Sequence, residues 1–147
     1  MNTTDLFRAL KKRCGGKLLG VFACDRLPAR LPHKRPLILI CNTHPHYKKG
    51  EHWITIYVGD DGKGEYFDSF GENVPRPFER FLDYNCAQWT RNNAQLQSAL
   101  TNLCGQYCVF YSLFKCLDYS FDNILSCFSN DTMLNDYVVH KFVCDNL

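Results

Sequence analysis

The amino-acid sequence predicts an α+β fold, a single domain over residues 1–147 in which a central mixed or antiparallel sheet packs around one buried helix. The chain has 147 residues, 46% of them hydrophobic, which suits one domain with a sizeable core. Residues 37–42 form an apolar run as long as a strand, and residues 52–58 alternate in polarity before a turn sequence. Residues 105–117 are apolar all round, which is typical of a helix buried in the middle of a domain.

The first third of the chain is predicted to hold one helix and two strands. Thr3 or Thr4 can cap a helix over residues 5–13, and Gly15-Gly16 ends it. Two extended segments follow, separated by a loop with three prolines: 18–24 and 37–42. A polar loop at 43–51 then leads into the next strand.

A β-hairpin is predicted next, because a turn signature at 60–64 separates the alternating strand 52–58 from a second short strand at 65–68. In an antiparallel pair, the start of the first strand and the end of the second lie side by side. We therefore expect His52 and Asp68 at the same end of the hairpin, where an imidazole and a carboxylate can meet.

Helices are predicted to dominate the rest of the chain. A short helix at 77–84 precedes a strand at 87–90 and an irregular link that carries Gln95 and Gln97. The central buried helix then begins near Cys104 and Gly105. Two C-terminal helices complete the predicted elements: 121–125 and 133–142.

The nine cysteines are expected to be free thiols in a reducing compartment. Their number is odd, the N-terminus lacks the basic and apolar regions of a secretory signal, and most lie inside apolar segments. Because no Cys-x-x-Cys pair occurs, and no second pair matches the His44-x-His46 spacing, we expect no metal. No apolar run is long enough to span a bilayer, so no membrane interaction is expected.

Charge is divided unevenly along the chain. Residues 1–49 hold eleven Lys/Arg and two acids, whereas residues 50–147 hold six Lys/Arg and thirteen acids. Basic clusters near residues 11–17 and 30–35 are compatible with sequence-independent binding to phosphates, and equally with a solvated face.

Four residues offer the parts of a cysteine hydrolase. Cys104 precedes a glycine at the start of a helix, where amide groups and the helix dipole stabilise a thiolate. His52 is a candidate base and Asp68 a group that orients it, with Gln97 as a donor to a developing oxyanion. Each has a structural alternative: a buried core cysteine, a strand-end histidine, a turn aspartate and a polar linker residue.

In this order the residues resemble the adenovirus-type cysteine protease (adenain) family, which includes related enzymes of other DNA viruses and of virus-like transposons. The similarity runs through these motifs: His52-Trp53, Phe67-Asp68-Ser69-Phe70-Gly71, Gln97 and Cys104-Gly105. The larger clan that includes proteases of ubiquitin-like modifiers shares the order, and the longer gap between Gln97 and Cys104 favours the adenovirus branch. The resemblance implies a fold of that clan, with a buried helix that begins at the nucleophile.

The resemblance also implies roles. Cys104 would be the nucleophile, His52 its general base and ion-pair partner, and Asp68 the orienting carboxylate. Gln97 and the backbone amide of Cys104 would form the oxyanion hole, and Trp53 would pack beside the site. The activity implied is that of an endopeptidase that matures viral or transposon capsid and core precursors.

Partners are implied in the same way. Cys86 lies eighteen residues before Cys104, the separation at which adenoviral enzymes carry a cysteine that forms a disulfide with an activating peptide cut from a capsid protein; a buried core cysteine is the alternative. DNA is a second activator in that family. We expect an intracellular monomer, in the nucleus and virion if the source is viral.

Two other functions stay open at this point. One is a protease of ubiquitin-like modifiers, of the deSUMOylase or deubiquitinase type. The other is a basic DNA-binding structural protein without catalysis.

Overall fold

A five-stranded mixed sheet organises the residues that the computed structural model describes, which are 1–47 and 52–147. The strands are β1 (Leu18–Ala23), β2 (Leu37–Asn42), β3 (Trp53–Val58), β4 (Lys63–Phe67) and β5 (Gln88–Arg91). The helices are α1 (Thr3–Cys14), α2 (Arg76–Asn85), α3 (Cys104–Cys116), α4 (Phe121–Leu125) and α5 (Thr132–Asn146). Every predicted element in these ranges is present, with ends that differ by a few residues. Of the predicted loop at 43–51, residues 48–51 lie outside the described residues.

The strands follow one another across the sheet in chain order. β1 pairs with β2 in parallel, and β4 pairs with β5 in parallel. The two pairs between them, β2 with β3 and β3 with β4, are antiparallel. The predicted hairpin is therefore confirmed: Thr55 of β3 lies opposite Phe67 of β4, so the residues just before β3 and just after β4 share one end of the sheet.

Helices cover both faces of the sheet, and each face has its own apolar core. One core contains α1, α3 and parts of α4 and α5, and the other lies under α2. β2 sits between them and is buried along its whole length, because its alternate side chains point into different cores. This explains why its sequence is a continuous apolar run instead of an alternating one.

Helix α3 is the buried central helix that the sequence predicts. Most of its residues are buried, and Tyr111 stacks on Phe67 of the sheet with ring centroids 4.4 Å apart. Within the described ranges, no helix combines the length and the hydropathy that crossing a bilayer requires.

The cap of α1 differs from the prediction. Asn2, not Thr3 or Thr4, is the N-cap: its side chain accepts a hydrogen bond from the Asp5 amide at 2.9 Å, and the Asp5 carboxylate accepts one from the Asn2 amide. This reciprocal pair satisfies two amides at once, and α1 begins at Thr3, so both threonines that the sequence offered as caps lie inside the helix.

The expectation that all cysteines are free is wrong for two of them. Cys14 at the end of α1 and Cys116 at the end of α3 form a disulfide, with Cα atoms 5.8 Å apart. The two residues are 102 positions apart in sequence and meet only because α1 packs along α3. Spacing along the chain does not reveal such a pair.

Candidate active site

Cys104 is the first residue of α3, and its side chain faces the end of the sheet where β3 begins. The residue before it, Leu103, makes no side-chain cap, so the first amides of the helix are not satisfied by a capping side chain. The residue is 8% exposed and is therefore almost fully buried. Burial alone would raise the pKa of the Cys104 thiol, yet the neighbouring His52 imidazole and the backbone amides of Trp53 and Gly105 lower it.

Asp68 holds His52 at the same end of the sheet, as the hairpin predicts. The Nε2 atom of His52 lies 2.6 Å from Oδ1 of Asp68, and both side chains are largely buried. The Asp68 carboxylate also accepts hydrogen bonds from the Phe70 amide at 2.8 Å and the Glu72 amide at 3.2 Å. Asp68 is therefore a turn residue and an imidazole partner at once.

With Nε2 engaged, Nδ1 is the nitrogen of His52 that remains for Cys104. No hydrogen bond of standard geometry reaches this buried atom from the described residues, and the Cys104 thiol is close enough to interact with it electrostatically. Burial would lower the pKa of His52, but its hydrogen bond to Asp68 and its interactions with the Asp68 and Cys104 side chains outweigh burial and raise the pKa to about 9. The opposite shifts of the two groups favour a thiolate paired with an imidazolium.

The pKa values of four other thiols are shifted in the opposite direction to that of Cys104. Burial raises the pKa of Cys41 and Cys108 well above the usual range, and it also raises the pKa of Cys24 and Cys86. Cys104 is thus the cysteine whose surroundings favour the nucleophilic form.

The turn after Asp68 depends on glycine at position 71. Gly71 has a φ of +63°, and its amide donates to the Asp68 carbonyl at 2.9 Å. A Cβ atom there would lie 2.5 Å from the Ala94 carbonyl oxygen, so only glycine fits without movement. This gives a physical reason for the glycine that closes the motif at residues 67–71.

Gln97 lies in the loop before Cys104, anchored to the same turn. Its amide oxygen accepts from the Ser69 hydroxyl at 2.7 Å, and its backbone amide donates to the Ser69 carbonyl. Its side-chain nitrogen donates to the Thr101 carbonyl at 3.0 Å and contacts the Thr101 hydroxyl at 3.4 Å. Gln97 thus lies in the loop that leads to Cys104, but its side-chain N–H groups point at Thr101.

Two residues that the sequence did not single out hold the turn at Asp68 and the loop before Cys104 in place. Asn92 donates to the Asp68 carbonyl at 2.5 Å and accepts from the Asp68 amide at 2.9 Å. Asp136 of α5 accepts from the Thr101 hydroxyl at 2.9 Å and the Tyr107 hydroxyl at 2.7 Å. Both are polar residues with no informative spacing to the catalytic candidates, so nothing in the sequence singled them out.

Trp53 packs beside the site, as expected. A Cβ atom on Gly105 would lie 3.6 Å from Cδ1 of Trp53 and 3.2 Å from the Cβ of Met1, so the small residue leaves room for the indole. Trp53 also lines a cavity of about 360 Å³, together with residues 1–3, the end of β1 and residues of the segment 42–46.

Cys86 is half-buried. It follows α2, and its sulfur would lie 2.6 Å from a Cβ atom on Gly64, so it packs against the backbone of β4. Gly64 lies near the start of β4, whereas Asp68 follows its end, so Cys86 is remote from the candidate active site along that strand. Among residues 1–47 and 52–147, no cluster of three or more His, Cys, Asp or Glu side chains is arranged to hold a metal ion.

No protein-family model matches the sequence. Over 115 residues the chain is 28% identical to "SUMO-1 cysteine protease S273R" of African swine fever virus (isolate Pig/Kenya/KEN-50/1950), a match that covers 70% of this chain and 40% of that protein. It is 27% identical to "Cysteine protease S273R" of isolate Tick/Malawi/Lil 20-1/1983, of which it covers 42%. The chain therefore spans about two fifths of the length of these relatives.

Solved structures share the fold. A selenomethionine form of the African swine fever virus pS273R protease is 25% identical, with a TM-score of 0.54 over 73% of this chain and 45% of that one. A second pS273R structure superposes over 95% of this chain and 66% of that one, with a TM-score of 0.64 and 18% identity. ChlaDub1 from Chlamydia trachomatis has a TM-score of 0.56 at 17% identity, over 75% of this chain and 58% of that one. The similarities support the broad class of cysteine protease that the sequence resembles, without singling out the adenovirus branch.

Proposed function

We propose that this chain is a cysteine endopeptidase in which Cys104 is the nucleophile, His52 the general base and acid, and Asp68 the group that orients the imidazole. The observation that carries the proposal is the line of hydrogen-bonded and charged groups from Asp68 through His52 to Cys104. Along it, the pKa of the thiol falls while that of the imidazole rises. A structural cysteine on an apolar helix has no need of such a pair.

The reaction follows from this pairing. The Cys104 thiolate attacks the carbonyl carbon of a peptide bond, and the backbone amide of Cys104 faces the developing oxyanion at the uncapped start of α3. The His52 imidazolium then gives its proton to the leaving amine and, as a neutral base, later activates the water that releases the acyl group. Asp68 keeps Nδ1 directed at the sulfur throughout, because it holds Nε2.

Gln97 is proposed as the second oxyanion donor. Its buried side chain is held near the loop by Ser69 and Thr101, and its amide group would have to rotate for the nitrogen to point from Thr101 toward the oxyanion. Gln97→Glu keeps the size and removes the donors. It should lower kcat more than it changes KM, since the interaction forms only in the transition state.

The proposed substrates are precursor polypeptides of a viral or transposon capsid and core, cut after glycine-containing sequences. The viral origin of the matching relatives supports this reading. A protease of ubiquitin-like modifiers is the second candidate, and it is favoured by the printed name of a relative, "SUMO-1 cysteine protease".

A substrate panel separates these functions. Glycine-containing precursor peptides and modifier conjugates would be incubated with the wild type, with Cys104→Ala, and with Cys127→Ala as a control that removes a different free thiol. Cleavage of precursors that requires Cys104 supports the first candidate, and turnover of conjugates alone supports the second. A non-catalytic DNA-binding protein would cleave neither and would show no His52-dependent alkylation of Cys104.

We further propose that a cysteine-containing peptide activates the enzyme through a disulfide to Cys86. The thiol is half-buried against Gly64, so the peptide would have to draw the sulfur out of this contact. Cys86→Ser should lose stimulation by such a peptide and keep basal activity, whereas Cys24→Ser, which removes another half-buried thiol, should keep both. Equal stimulation of both variants would exclude Cys86 as the anchor.

DNA is proposed as a second, sequence-independent activator. Lys11, Lys12 and Arg13 form the basic last turn of α1, and the ammonium group of Lys34 lies against Gly16 just beyond it, so two segments contribute charge to one surface. Activity stimulated by DNA should fade with added salt and return with more DNA. A response that is flat in salt would contradict this role.

A further inference from the structure

A buried carboxylate on α5 has no part in the line of groups from Asp68 to Cys104. Asp136 is 5% exposed, and the residue before it, Asn135, is also buried. Buried carboxylates are rare in proteins unless hydrogen bonds compensate for the lost solvation, so the donors around Asp136 indicate which part of the molecule it stabilises. These donors lie in the loop that joins Gln97 to Cys104 and in the helix that follows.

Asp136 accepts hydrogen bonds from two points of this loop and from one point of α3. Its Oδ1 atom accepts from the Ser98 amide at 3.3 Å, directly after Gln97, and from the Tyr107 hydroxyl at 2.7 Å. Its Oδ2 atom accepts from the Thr101 hydroxyl at 2.9 Å. Tyr107 belongs to α3, the helix that carries the proposed nucleophile. One carboxylate therefore ties the loop after Gln97 to that helix.

Thr101 connects Asp136 to the proposed oxyanion donor. Nε2 of Gln97 donates to the Thr101 carbonyl at 3.0 Å, and it lies 3.4 Å from the hydroxyl that Asp136 binds. Residues 98–103 contain no helix or strand, so no regular backbone pairing fixes the path of this loop. Through Thr101, the position of Gln97 relative to the start of α3 thus depends on Asp136.

We propose that Asp136 is a positioning residue for the oxyanion hole, acting through Thr101 on Gln97. The inference rests on the proposed function, in which the Gln97 side chain and the Cys104 amide stabilise the oxyanion. Such donors act only from the right distance, and a misplacement of about 1 Å can cost about a hundredfold in rate. The hydrogen-bond partners of Asp136 among residues 1–47 and 52–147 do not include His52 or Cys104, so the ionisation of the nucleophile should not depend on it.

Asp136→Asn is the variant that tests this role. Its oxygen can keep the hydrogen bonds from Ser98 and Tyr107, while its nitrogen replaces Oδ2 and cannot accept from the Thr101 hydroxyl. We expect kcat for a precursor peptide to fall roughly tenfold to a hundredfold, with KM within about twofold of the wild type, because the oxyanion forms only in the transition state. Val139→Ala is the matched control, since it removes buried volume from the same helix and leaves these hydrogen bonds in place. It should keep the wild-type kcat.

Two measurements separate positioning from a general loss of structure. The rate at which iodoacetamide alkylates Cys104 across pH should be the same in Asp136→Asn as in the wild type, since this reaction forms no oxyanion. In a Gln97→Ala background, Asp136→Asn should change kcat by less than about threefold, because the residue through which it acts is gone. A variant that loosened the whole site would alter both results.

A third measurement needs no substrate. In isotope-labelled protein, the side-chain amide resonance of Gln97, assigned with Gln97→Ala, should shift in Asp136→Asn and keep its position in Val139→Ala. An unshifted resonance, equal losses of kcat with and without Gln97, or a rise in kcat would overturn the inference. Failure of the proposed function would look different: cleavage that survives Cys104→Ala, or no cleavage at all, while the amide resonance still tests the positioning of Gln97.

Discussion

Replacing Asp68 with asparagine removes the charge that we expect to hold His52 as an imidazolium. The asparagine oxygen can still accept hydrogen bonds from His52 Nε2 and from the Phe70 amide, as Oδ1 of Asp68 does. In the wild type the Glu72 amide donates to Oδ2 of Asp68. In the variant the asparagine nitrogen takes the place of Oδ2, so this hydrogen bond is lost. Asp68→Asn thus preserves most of the geometry and removes the electrostatic contribution.

The size of the effect follows from the pKa shifts. The pKa of His52 is raised from its ordinary value of 6.5 to about 9 against the opposing effect of burial, with Asp68 as the first of the groups that raise it. Removing the carboxylate charge should therefore lower the pKa of His52 by roughly 1–2 units. A less stable imidazolium stabilises the thiolate less, so the lowered pKa of Cys104 should rise at the same time.

These shifts predict how the ion pair responds to pH. The thiolate forms as pH rises through the lowered pKa of Cys104, and the imidazolium persists until pH reaches the raised pKa of His52, about 9. The ion pair therefore exists between these two limits. Asp68→Asn should narrow that interval from both sides, because one limit rises and the other falls.

The assay needs no substrate. The rate of Cys104 alkylation by iodoacetamide across pH reports the thiol, and NMR of histidine-labelled protein, assigned with a His52→Gln variant, reports the imidazole. Asp61→Asn is the matched control, since Asp61 is an exposed turn aspartate that accepts from the Lys63 amide. If both titrations in a folded Asp68→Asn protein match the wild type, Asp68 does not set the charge of the pair and this reasoning fails.

Three further predictions concern stability, measured as the free energy of unfolding in urea. Gly71→Ala should lose about 2–4 kcal/mol, because a Cβ would lie 2.5 Å from a backbone carbonyl at positive φ. Gly62→Ala, also at positive φ but with nothing within 4 Å, should lose only about 1 kcal/mol, and equal losses would contradict the clash. Reduction should cost the wild type about 3–5 kcal/mol, since the Cys14–Cys116 disulfide joins residues 102 positions apart. A Cys14→Ser/Cys116→Ser protein should not respond to the reductant, and a wild type that does not respond would refute the pairing. Asp136→Asn should lose about 2–3 kcal/mol, as a buried carboxylate that accepts two hydroxyl groups becomes a poorer acceptor; an unchanged stability would show that this network is dispensable.

Local features of the fold were readable from the sequence because they depend on neighbouring residues. The turn glycines of the hairpin and the alternation of β3 are adjacent in the chain, and together they predict that the residues before β3 and after β4 meet. The same pairing brings His52 and Asp68 together. The apolar surface of α3 and the glycine after Cys104 similarly indicate a buried helix that begins at a cysteine.

Contacts between residues far apart in the chain were decided by the tertiary structure alone. Cys14 and Cys116 pair because α1 packs along α3, and Cys86 is half-buried because α2 returns it to the start of β4. The donors of Gln97 are directed by the path of its own loop, which a carboxylate on α5 holds in place. Amino-acid spacing encodes periodicity and turns, whereas these contacts depend on how whole elements pack. The sequence by itself therefore determined the elements and the pairing of His52 with Asp68. Packing determined how the thiols differ and which loop donors are engaged.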